Sequence, residues 1–329
     1  MRKGQVCWMK DIDVLALGEL LIDFTSNGVS EQGNGLFEAN PGGAPCNVLA
    51  ILNKLGKKTA FIGKVGNDGF GRMLKQTLEA LGINTEGLYL DDVYHTTLAL
   101  VHTDENGDRD FSFYRDPGAD IMLTADEVDP ELIRRAKIFH YGTLSMTHEG
   151  VRAATKKAIE IAKEEGMLLS FDPNYREPLW DSEEKAVEQI AYGLSQCDIL
   201  KISEEELEMM TGTKDIDAGV KEFQEKYPNI TLLNVTAGKD GSYSYYKGLK
   251  VFVPGFLLGG TIETTGAGDT FGGAVLDYVL DHGLEDLTQE NLKEMLRFAN
   301  AAAYLVTTRK GALRSMPEPE QIQEILDKH

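Results

Sequence analysis

Short apolar runs and helical apolar stripes alternate along most of the chain. The runs at 138–141 and 167–172 are each followed by a segment with one apolar face, at 149–165 and 183–194. Short continuous runs are typical of strands buried on both faces, and a 3.6-residue stripe is typical of a helix packed on them. The repeated order of strand and then helix predicts an α/β fold with a largely parallel central sheet, covered by helices on both faces.

The same pattern extends to the rest of the chain. A buried strand is predicted at 12–17, with 20–24 as its continuation, and further strands are predicted at 59–65, 198–202, 230–236, 242–247 and 249–253. Further helices are predicted from Val48 to Gly56, and at 70–81, 204–210 and 216–226, and 291–306 is predicted as the final long helix. Two apolar segments, 96–103 and 109–114, flank Asn106-Gly107, which is a strong signal for a β-hairpin. With the polar segment 25–40, this hairpin predicts a small β-sheet lid built from about 24–40 and 96–116, on a single domain spanning 1–329.

Composition and net charge exclude some classes of binding partner. The chain has 329 residues, 42% of them hydrophobic, and a formal net charge of −20. A surface that acidic repels nucleic acid and anionic lipid, so we expect neither as a partner, and an anionic ligand needs a local positive site. No apolar run reaches the ~18–20 residues of a membrane span. Three separated cysteines without a C-x-x-C spacing predict no disulfide framework and a cytoplasmic location.

A glycine-rich segment near the C-terminus carries the main chemical signal. Gly266-Ala267-Gly268-Asp269 precedes apolar positions at helical spacing: Phe271, Ala274, Val275, Tyr278 and Val279. A helix that begins here presents unpaired amides and the positive end of its dipole to an anion. The dipole predicts a lowered pKa for Asp269. The alternative is a helix that merely packs closely on a sheet, and for a lone glycine cluster that alternative is favoured.

Other nucleotide motifs match less well. Phe271 stands where the third glycine of a dinucleotide fingerprint would fall, and no Walker-type phosphate loop is present. Polar groups do recur at the predicted strand ends, at Asp23, the Asp172 segment, Ser203 with Glu206, Thr236 with the following glycines, and Asp269. In an open α/β sheet the ligand binds beyond the carboxyl ends of the strands, so we expect these groups to converge there.

Two segments together resemble the signatures of the ribokinase-like (PfkB) carbohydrate kinase family. Gly42-Gly43-Ala44-Pro45-Cys46-Asn47 matches the N-terminal signature and Thr264-Thr265-Gly266-Ala267-Gly268-Asp269 the C-terminal one. The similarity extends over essentially the whole chain. Within the family it is strongest to the fructokinases, on Asp172-Pro173-Asn174-Tyr175-Arg176 and Lys201-x-Ser203-x-x-Glu206.

The resemblance implies an ATP-dependent sugar kinase that phosphorylates fructose, with O6 as the acceptor. A 2-keto-3-deoxygluconate kinase stays open as an alternative, because Arg115 and Arg176 could hold a carboxylate. A non-catalytic sugar- or nucleotide-sensing protein on the same fold is the alternative from another class. The resemblance also implies a homodimer that forms through the β-lid.

The resemblance implies a role for each matching residue. Asp269 is the base, and the backbone amides of Ala267, Gly268 and Asp269, in the loop that begins at Gly266, form the anion hole. The sugar and phosphate side is assigned to Asp23, Gly42, Gly43, Asn47, Arg115 and Arg176, and the nucleotide side to Asn174, Thr236, Gly238, Gly241, Gly268 and Asn300. Glu206 is expected to hold Mg²⁺ through water. A potassium ion is expected at Glu263, Thr265, Val306, Arg309, Gly311 and Ser315, with altered geometry because Glu263 replaces the usual Asp of the signature.

Overall fold

The computed structural model describes residues 10–103 and 109–329. Its strands are β1 (Ile12–Leu17), β2 (Leu21–Val29), β3 (Gly35–Gly42), β4 (Thr59–Gly66), β5 (Asn84–Asp91), β6 (Leu98–Thr103), β7 (Arg109–Tyr114), β8 (Ala136–Gly142), β9 (Leu168–Asp172), β10 (Ile199–Ser203), β11 (Leu232–Thr236), β12 (Gly241–Tyr246) and β13 (Leu249–Pro254). Its helices are α1 (Ala44–Lys54), α2 (Gly69–Ala80), α3 (Pro130–Arg134), α4 (Glu149–Glu164), α5 (Glu183–Leu194), α6 (Glu204–Thr211), α7 (Ile216–Lys226), α8 (Ala267–His282), α9 (Gln289–Thr307) and α10 (Pro319–Lys328). The Asn106-Gly107 turn and Cys7 lie outside the described residues.

The large sheet has nine strands in the order β13-β12-β11-β10-β9-β8-β1-β4-β5. All neighbours from β5 to β11 pair in parallel, and only β12 and β13 are antiparallel. The predicted α/β fold with a largely parallel sheet is therefore confirmed. Strand β1 lies between β4 and β8, so later strands are added on one side of β1 for β4 and β5 and on the other side for β8 to β13. This reversal of strand order is the switch point where such folds bind ligands.

Side chains of the central strands alternate between two buried layers. In β1, Val14 and Ala16 pack with the layer of α1, α2, α8, α9 and α10, whereas Leu15 and Leu17 pack with the layer of α3 to α7. Because both faces are covered, the strands have no solvent-facing side, which is why they appear as continuous apolar runs in the sequence.

The second sheet has four strands in the order β3-β2-β6-β7. The segment 20–24 was expected to continue the first buried strand, and this is wrong. The chain passes through Gly18 and Glu19 after β1, and β2 then pairs with β3 and β6 in the small sheet. Asp23 therefore lies within a strand of the small sheet and does not follow a strand of the large one.

Three elements were not predicted. Strand β5 lies at the edge of the large sheet, and only Gly87 and Leu88 of its eight residues are buried, so it carries no continuous apolar run. Helix α3 has only five residues. Helix α10 follows α9, so 291–306 is not the final helix, and α10 begins at Pro319 with Ile322 as its buried residue. Among the described residues, no helix is both long and apolar enough to span a membrane.

Candidate active site

A cavity of about 440 Å³ opens at the switch point, between the two sheets. The small sheet contributes Leu21, Asp23 and Phe113 to its wall. The remaining lining residues lie on or after central strands, or at or just before the starts of helices: Glu19, Gly43, Ala44, Asn47, Leu144, Asn174, Arg176, Lys201, Ser203, Glu206, Thr264, Thr265, Gly266, Gly268 and Asp269. The cavity therefore brings together most of the sequence-predicted polar groups.

Helix α8 begins at this cavity without a side-chain cap. Gly266 precedes it with φ of 78°, in the left-handed region that glycine adopts without strain. The Ala267 amide donates to the Thr264 carbonyl at 3.2 Å. In the described part of the chain, the amides of Gly268 and Asp269 have no acceptor, so two of the three amides assigned to the anion hole are available to a ligand.

Asn47 and Asp269 both line the cavity and are hydrogen-bonded to each other. Its Nδ2 donates to Asp269 Oδ2 at 2.8 Å, which holds the carboxylate in place. The other end of the amide, Oδ1, is buried and has no partner among the described residues. A buried acceptor without a donor costs free energy, so this atom is suited to a hydroxyl donor supplied by a ligand.

The two glycines before α1 allow the backbone to approach its neighbours closely. A Cβ at Gly42 would lie 2.2 Å from Asp23 Oδ2, and one at Gly43, where φ is 127°, would lie 2.4 Å from the Glu19 carbonyl oxygen. Any side chain at either position would displace Asp23 or the loop after β1. These glycines are required by packing at the rim of the cavity.

The pKa of Asp269 is raised to about 6, mainly because burial disfavours its charged form and also because Asp172 is nearby. The hydrogen bond from Asn47 and the charges of Lys201 and Arg176 act in the opposite direction. The expectation of a lowered pKa is therefore wrong. The helix dipole is outweighed by burial and by a second carboxylate, neither of which is visible from local sequence.

Lys201 is a site residue that the sequence-based assignment missed. Its ammonium pairs with both carboxylate oxygens of Asp172, at 3.0 and 3.2 Å. It lies in the middle of β10, and its side chain is only 13% exposed. A lysine within a short apolar run is the signal that could have identified it, because lysine is seldom buried without a partner.

Glu206 and Ser203 form a capping box at the start of α6. Ser203 Oγ accepts the Glu206 amide at 3.1 Å, and Glu206 Oε2 accepts the Ser203 amide at 2.9 Å. Glu206 Oε1 accepts the Tyr175 amide at 2.8 Å. Each oxygen keeps further lone-pair capacity on the cavity wall, so the carboxylate suits an ion held through water better than one held directly.

Several sequence-predicted site residues lie away from the cavity wall or have their polar atoms engaged. Arg115 is buried and binds Asp120 at 2.6 Å and the Leu144 carbonyl at 2.9 Å. Asn300 accepts from Ser242 and donates to the carbonyls of Val253 and Pro254, so its amide joins α9 to the last two strands of the large sheet. Thr236, Gly238 and Gly241 surround the turn between β11 and β12, outside the cavity lining.

The loop predicted to hold a monovalent cation is closed by hydrogen bonds within the protein. Glu263 Oε1 accepts the Gly311 amide at 2.8 Å. The Val306 carbonyl accepts from the Arg309 amide at 3.2 Å, and Ser315 Oγ donates to the Ala312 carbonyl at 3.0 Å. The longer side chain of Glu263 thus joins the segment before α8 to the loop after α9.

Uncapped amides beside a hydrogen-bonded carboxylate, at the switch point of a parallel sheet, are typical of an enzyme that transfers a phosphoryl group to a hydroxyl. Residues 11–319 match the model of the "pfkB family carbohydrate kinase" family. The chain belongs to this family.

Curated relatives and solved structures agree with this assignment. The chain is 44% identical over 306 residues to the probable fructokinase-2 of Arabidopsis thaliana, covering 92% of both chains. A crystal structure of fructokinase with bound ATP from Xylella fastidiosa superposes with a TM-score of 0.87 at 30% identity, covering 97% of this chain and 99% of the other. A double-mutant fructokinase from Vibrio cholerae O395, crystallised with fructose, ADP and potassium ion, gives a TM-score of 0.85 at 31% identity, with the same coverage.

Proposed function

We propose that this protein is an ATP-dependent fructokinase that transfers the terminal phosphoryl group of ATP to a hydroxyl of fructose, with O6 as the acceptor. The observation that carries the proposal is the Asn47–Asp269 pair. Its carboxylate can accept the proton of a hydroxyl, and its unpartnered amide oxygen can accept a hydrogen bond from the sugar. Both residues line the cavity into which the uncapped start of α8 opens.

The chemistry assigned to each group follows from the nature of phosphoryl transfer. The transition state is loose, so the enzyme needs positioning and charge neutralisation more than a strong base. The amides of Gly268 and Asp269 bind the anionic phosphoryl group, and Asp269 accepts the hydroxyl proton late in the transfer. Its pKa of about 6 leaves it ionised at neutral pH and still basic enough for this role.

Mg²⁺ is proposed as the accompanying ion, with Glu206 as its protein contact through water. Mg²⁺ typically keeps several waters and binds one or two carboxylates together with substrate phosphates. The described residues contain no group of three or more acidic, histidine or cysteine side chains poised to hold a metal by themselves. This donor set suits an ion that arrives with the nucleotide, where it would neutralise phosphate charge.

Potassium activation is also proposed. Glu263 supports it because it keeps the negative charge of the signature beside the 306–315 loop, although it also accepts the Gly311 amide. We expect a higher rate in potassium than in a bulky organic cation of equal ionic strength. Equal rates in both salts would contradict the site.

The structure gives a reason to prefer fructose over 2-keto-3-deoxygluconate. Arg115, which could have held the carboxylate of that acid, is bound to Asp120 and to backbone oxygen. Arg176 remains at the cavity, where it is exposed and its Nη1 donates to the Tyr175 carbonyl. The relatives described above are fructokinases, which points the same way.

We further propose a homodimer through the small sheet, because that sheet exposes large apolar side chains. Val29, Leu36, Phe37 and Tyr114 are between 45% and 71% exposed.

A cytoplasmic location is proposed from the cysteines, of which Cys46 and Cys197 are buried free thiols. The Asn174 assignment to the nucleotide side and the single-domain assignment remain proposals as well.

A coupled assay of ADP release tests the function. We expect turnover with fructose and ATP, and much less with glucose or 2-keto-3-deoxygluconate, and we expect NMR of the product to show a phosphate on O6. Preferred turnover of the keto-acid would replace fructose as the substrate. The absence of sugar-dependent ADP release with every sugar tested would favour the sensing protein.

A further inference from the structure

The ammonium of Lys201 lies against the first turn of α8. A Cβ built on Gly268 would lie 3.0 Å from Lys201 Nζ and 3.4 Å from its Cε. A side chain at position 268 would therefore require the end of the lysine to shift by a few tenths of an ångström. The ammonium is thus adjacent to the uncapped amides at Gly268, the residue that precedes Asp269.

Lys201 differs from the other cation of the cavity wall. Among the described residues that line the cavity, only Lys201 and Arg176 carry a positive charge, against the carboxylates of Glu19, Asp23, Glu206 and Asp269. Arg176 is exposed, whereas Lys201 is nearly buried. A buried cation acts through a lower effective dielectric, so its effect on a nearby anion is larger.

The lysine remains charged in this position. Burial lowers the pKa of Lys201, but Asp172, Glu206 and Asp269 outweigh burial and raise it. An ammonium has three protons, and its hydrogen-bond partner among the described residues is the carboxylate of Asp172. Because the side chain lines the cavity, donor capacity remains for a ligand there.

We propose that Lys201 is a catalytic residue whose ammonium contacts the phosphoryl group during transfer, a role that rests on the proposed kinase function. The bond from the sugar oxygen to the terminal phosphorus forms, and the bond from that phosphorus to the bridging oxygen of ADP breaks. The hydroxyl proton passes to Asp269 and then to solvent, and Lys201 keeps all its protons. Asp172 holds the ammonium in place.

A purely structural role makes a different prediction. If Lys201 only neutralised Asp172, removing both charges together would restore the balance, and Lys201→Met with Asp172→Asn would recover activity. If Lys201 contacts the phosphoryl group, the double variant stays as slow as Lys201→Met. A double-mutant cycle separates these roles because coupling between contacting residues is measured directly.

The kinetic experiment measures kcat and both KM values for Lys201→Met, Lys201→Arg, Asp172→Asn and the double variant. We expect Lys201→Met to lower kcat by about 10²–10³-fold, as for loss of one donor to a transition-state anion. KM for fructose should change little, and Lys201→Arg should recover part of kcat. Lys137→Met is the matched control, since Lys137 also lies on a central strand and pairs with a carboxylate, Asp13, but at the opposite end of the sheet. Wild-type kcat in Lys201→Met or in the double variant would overturn the proposal.

A binding experiment keeps this test separate from the proposed function. Calorimetry with the non-hydrolysable analogue AMP-PNP and with ADP needs no sugar. We expect Lys201→Met to weaken AMP-PNP at least tenfold more than ADP. An equal loss for both nucleotides would overturn the contact with the terminal phosphate. If wild-type protein fails to release ADP with any sugar, the proposed function fails, but this difference in nucleotide affinity still reports on Lys201.

Discussion

At the scale of single residues, the site depends on how Asp269 is held. Asn47 fixes its orientation, while burial and Asp172 raise its pKa to about 6 and Lys201 opposes that rise. These opposing influences place the pKa just below neutral pH, which suits a base that must be ionised before transfer and must accept a proton during it. The chemistry of the residue is therefore set by neighbours from three other elements: α1, β9 and β10.

Replacing Asp269 with asparagine tests its role as the base. We expect Asp269→Asn to lower kcat by ~10²–10⁴-fold, because a positioned base contributes about that much. ATP affinity should be nearly unchanged, since the amides of the helix start remain. Asp281→Asn is the matched control on the same helix, where Asp281 pairs with Lys57 at the surface. Near-normal turnover in Asp269→Asn would remove the assignment.

The pH profile tests the raised pKa. Asp269 is active when ionised, so kcat/KM should fall as pH drops below about 6. Asn47→Ala removes a hydrogen bond that favours the charged form of Asp269, which raises the pKa of Asp269 further. The fall of kcat/KM at low pH, the acid limb of the profile, should therefore begin at a higher pH. Glu19, which also lines the cavity, is a second candidate for the group that controls the pH profile, because burial raises its pKa to about 7.

Glu19→Gln separates the two carboxyl groups. If Asp269 controls the profile, the limb persists in Glu19→Gln and moves in Asn47→Ala. A profile that loses its acid limb in Glu19→Gln would assign the pH dependence to Glu19.

At the scale of elements, the segment after β7 is fastened to the large sheet by Arg115. Arg115 Nε donates to Asp120 Oδ2 at 2.7 Å, and Thr97 Oγ1 donates to Asp120 Oδ1 at 2.5 Å. The guanidinium also reaches the Leu144 carbonyl beyond β8. These contacts join the small sheet to the main body of the protein, which is a structural task.

Arg115→Met should therefore act on stability. It leaves the carboxylate of Asp120 buried without its cation, which typically costs ~3–5 kcal/mol in the free energy of unfolding. Urea denaturation measures this loss, and Arg115→Met combined with Asp120→Asn should cost less than the two single changes added. Arg176→Met is the control, because Arg176 is exposed. A large rise in KM for fructose with unchanged stability would instead return Arg115 to the substrate site.

At the scale of the whole molecule, the small sheet contributes residues to the cavity wall and also exposes large apolar side chains to solvent. Asp23 and Phe113 line the cavity. Phe37 is 48% exposed and Tyr114 is 62% exposed. Their strands, β3 and β7, are the two edges of the sheet, and edge strands with exposed apolar side chains favour association.

The proposed dimer can be tested by sedimentation velocity. We expect wild-type protein to sediment as a dimer, and Phe37→Glu or Tyr114→Glu to shift it toward monomer by placing charge in an apolar interface. Phe252→Glu is the matched control, since Phe252 is 45% exposed on β13 at the edge of the large sheet. A monomeric wild-type protein, or equal dissociation by all three changes, would contradict association through the small sheet.

The sequence alone determined that the central sheet is largely parallel and covered by helices on both faces, because strands buried on both faces leave a continuous apolar run between helical stripes. It also located the glycine-rich start of α8, since only small residues permit uncapped amides there. It did not reveal β5 or α10, in which few side chains are buried.

Only the tertiary structure decided which polar groups act together. Lys201, Asp172 and Asp269 come from segments up to 97 residues apart (172 to 269), and their pKa values depend on distances that no local pattern encodes. Arg115 and Asn300 have suitable chemistry for ligands, but the fold directs their donors to Asp120 and to the end of β13. Burial and through-space charge set the chemistry of the site, and both exist only once the chain has folded.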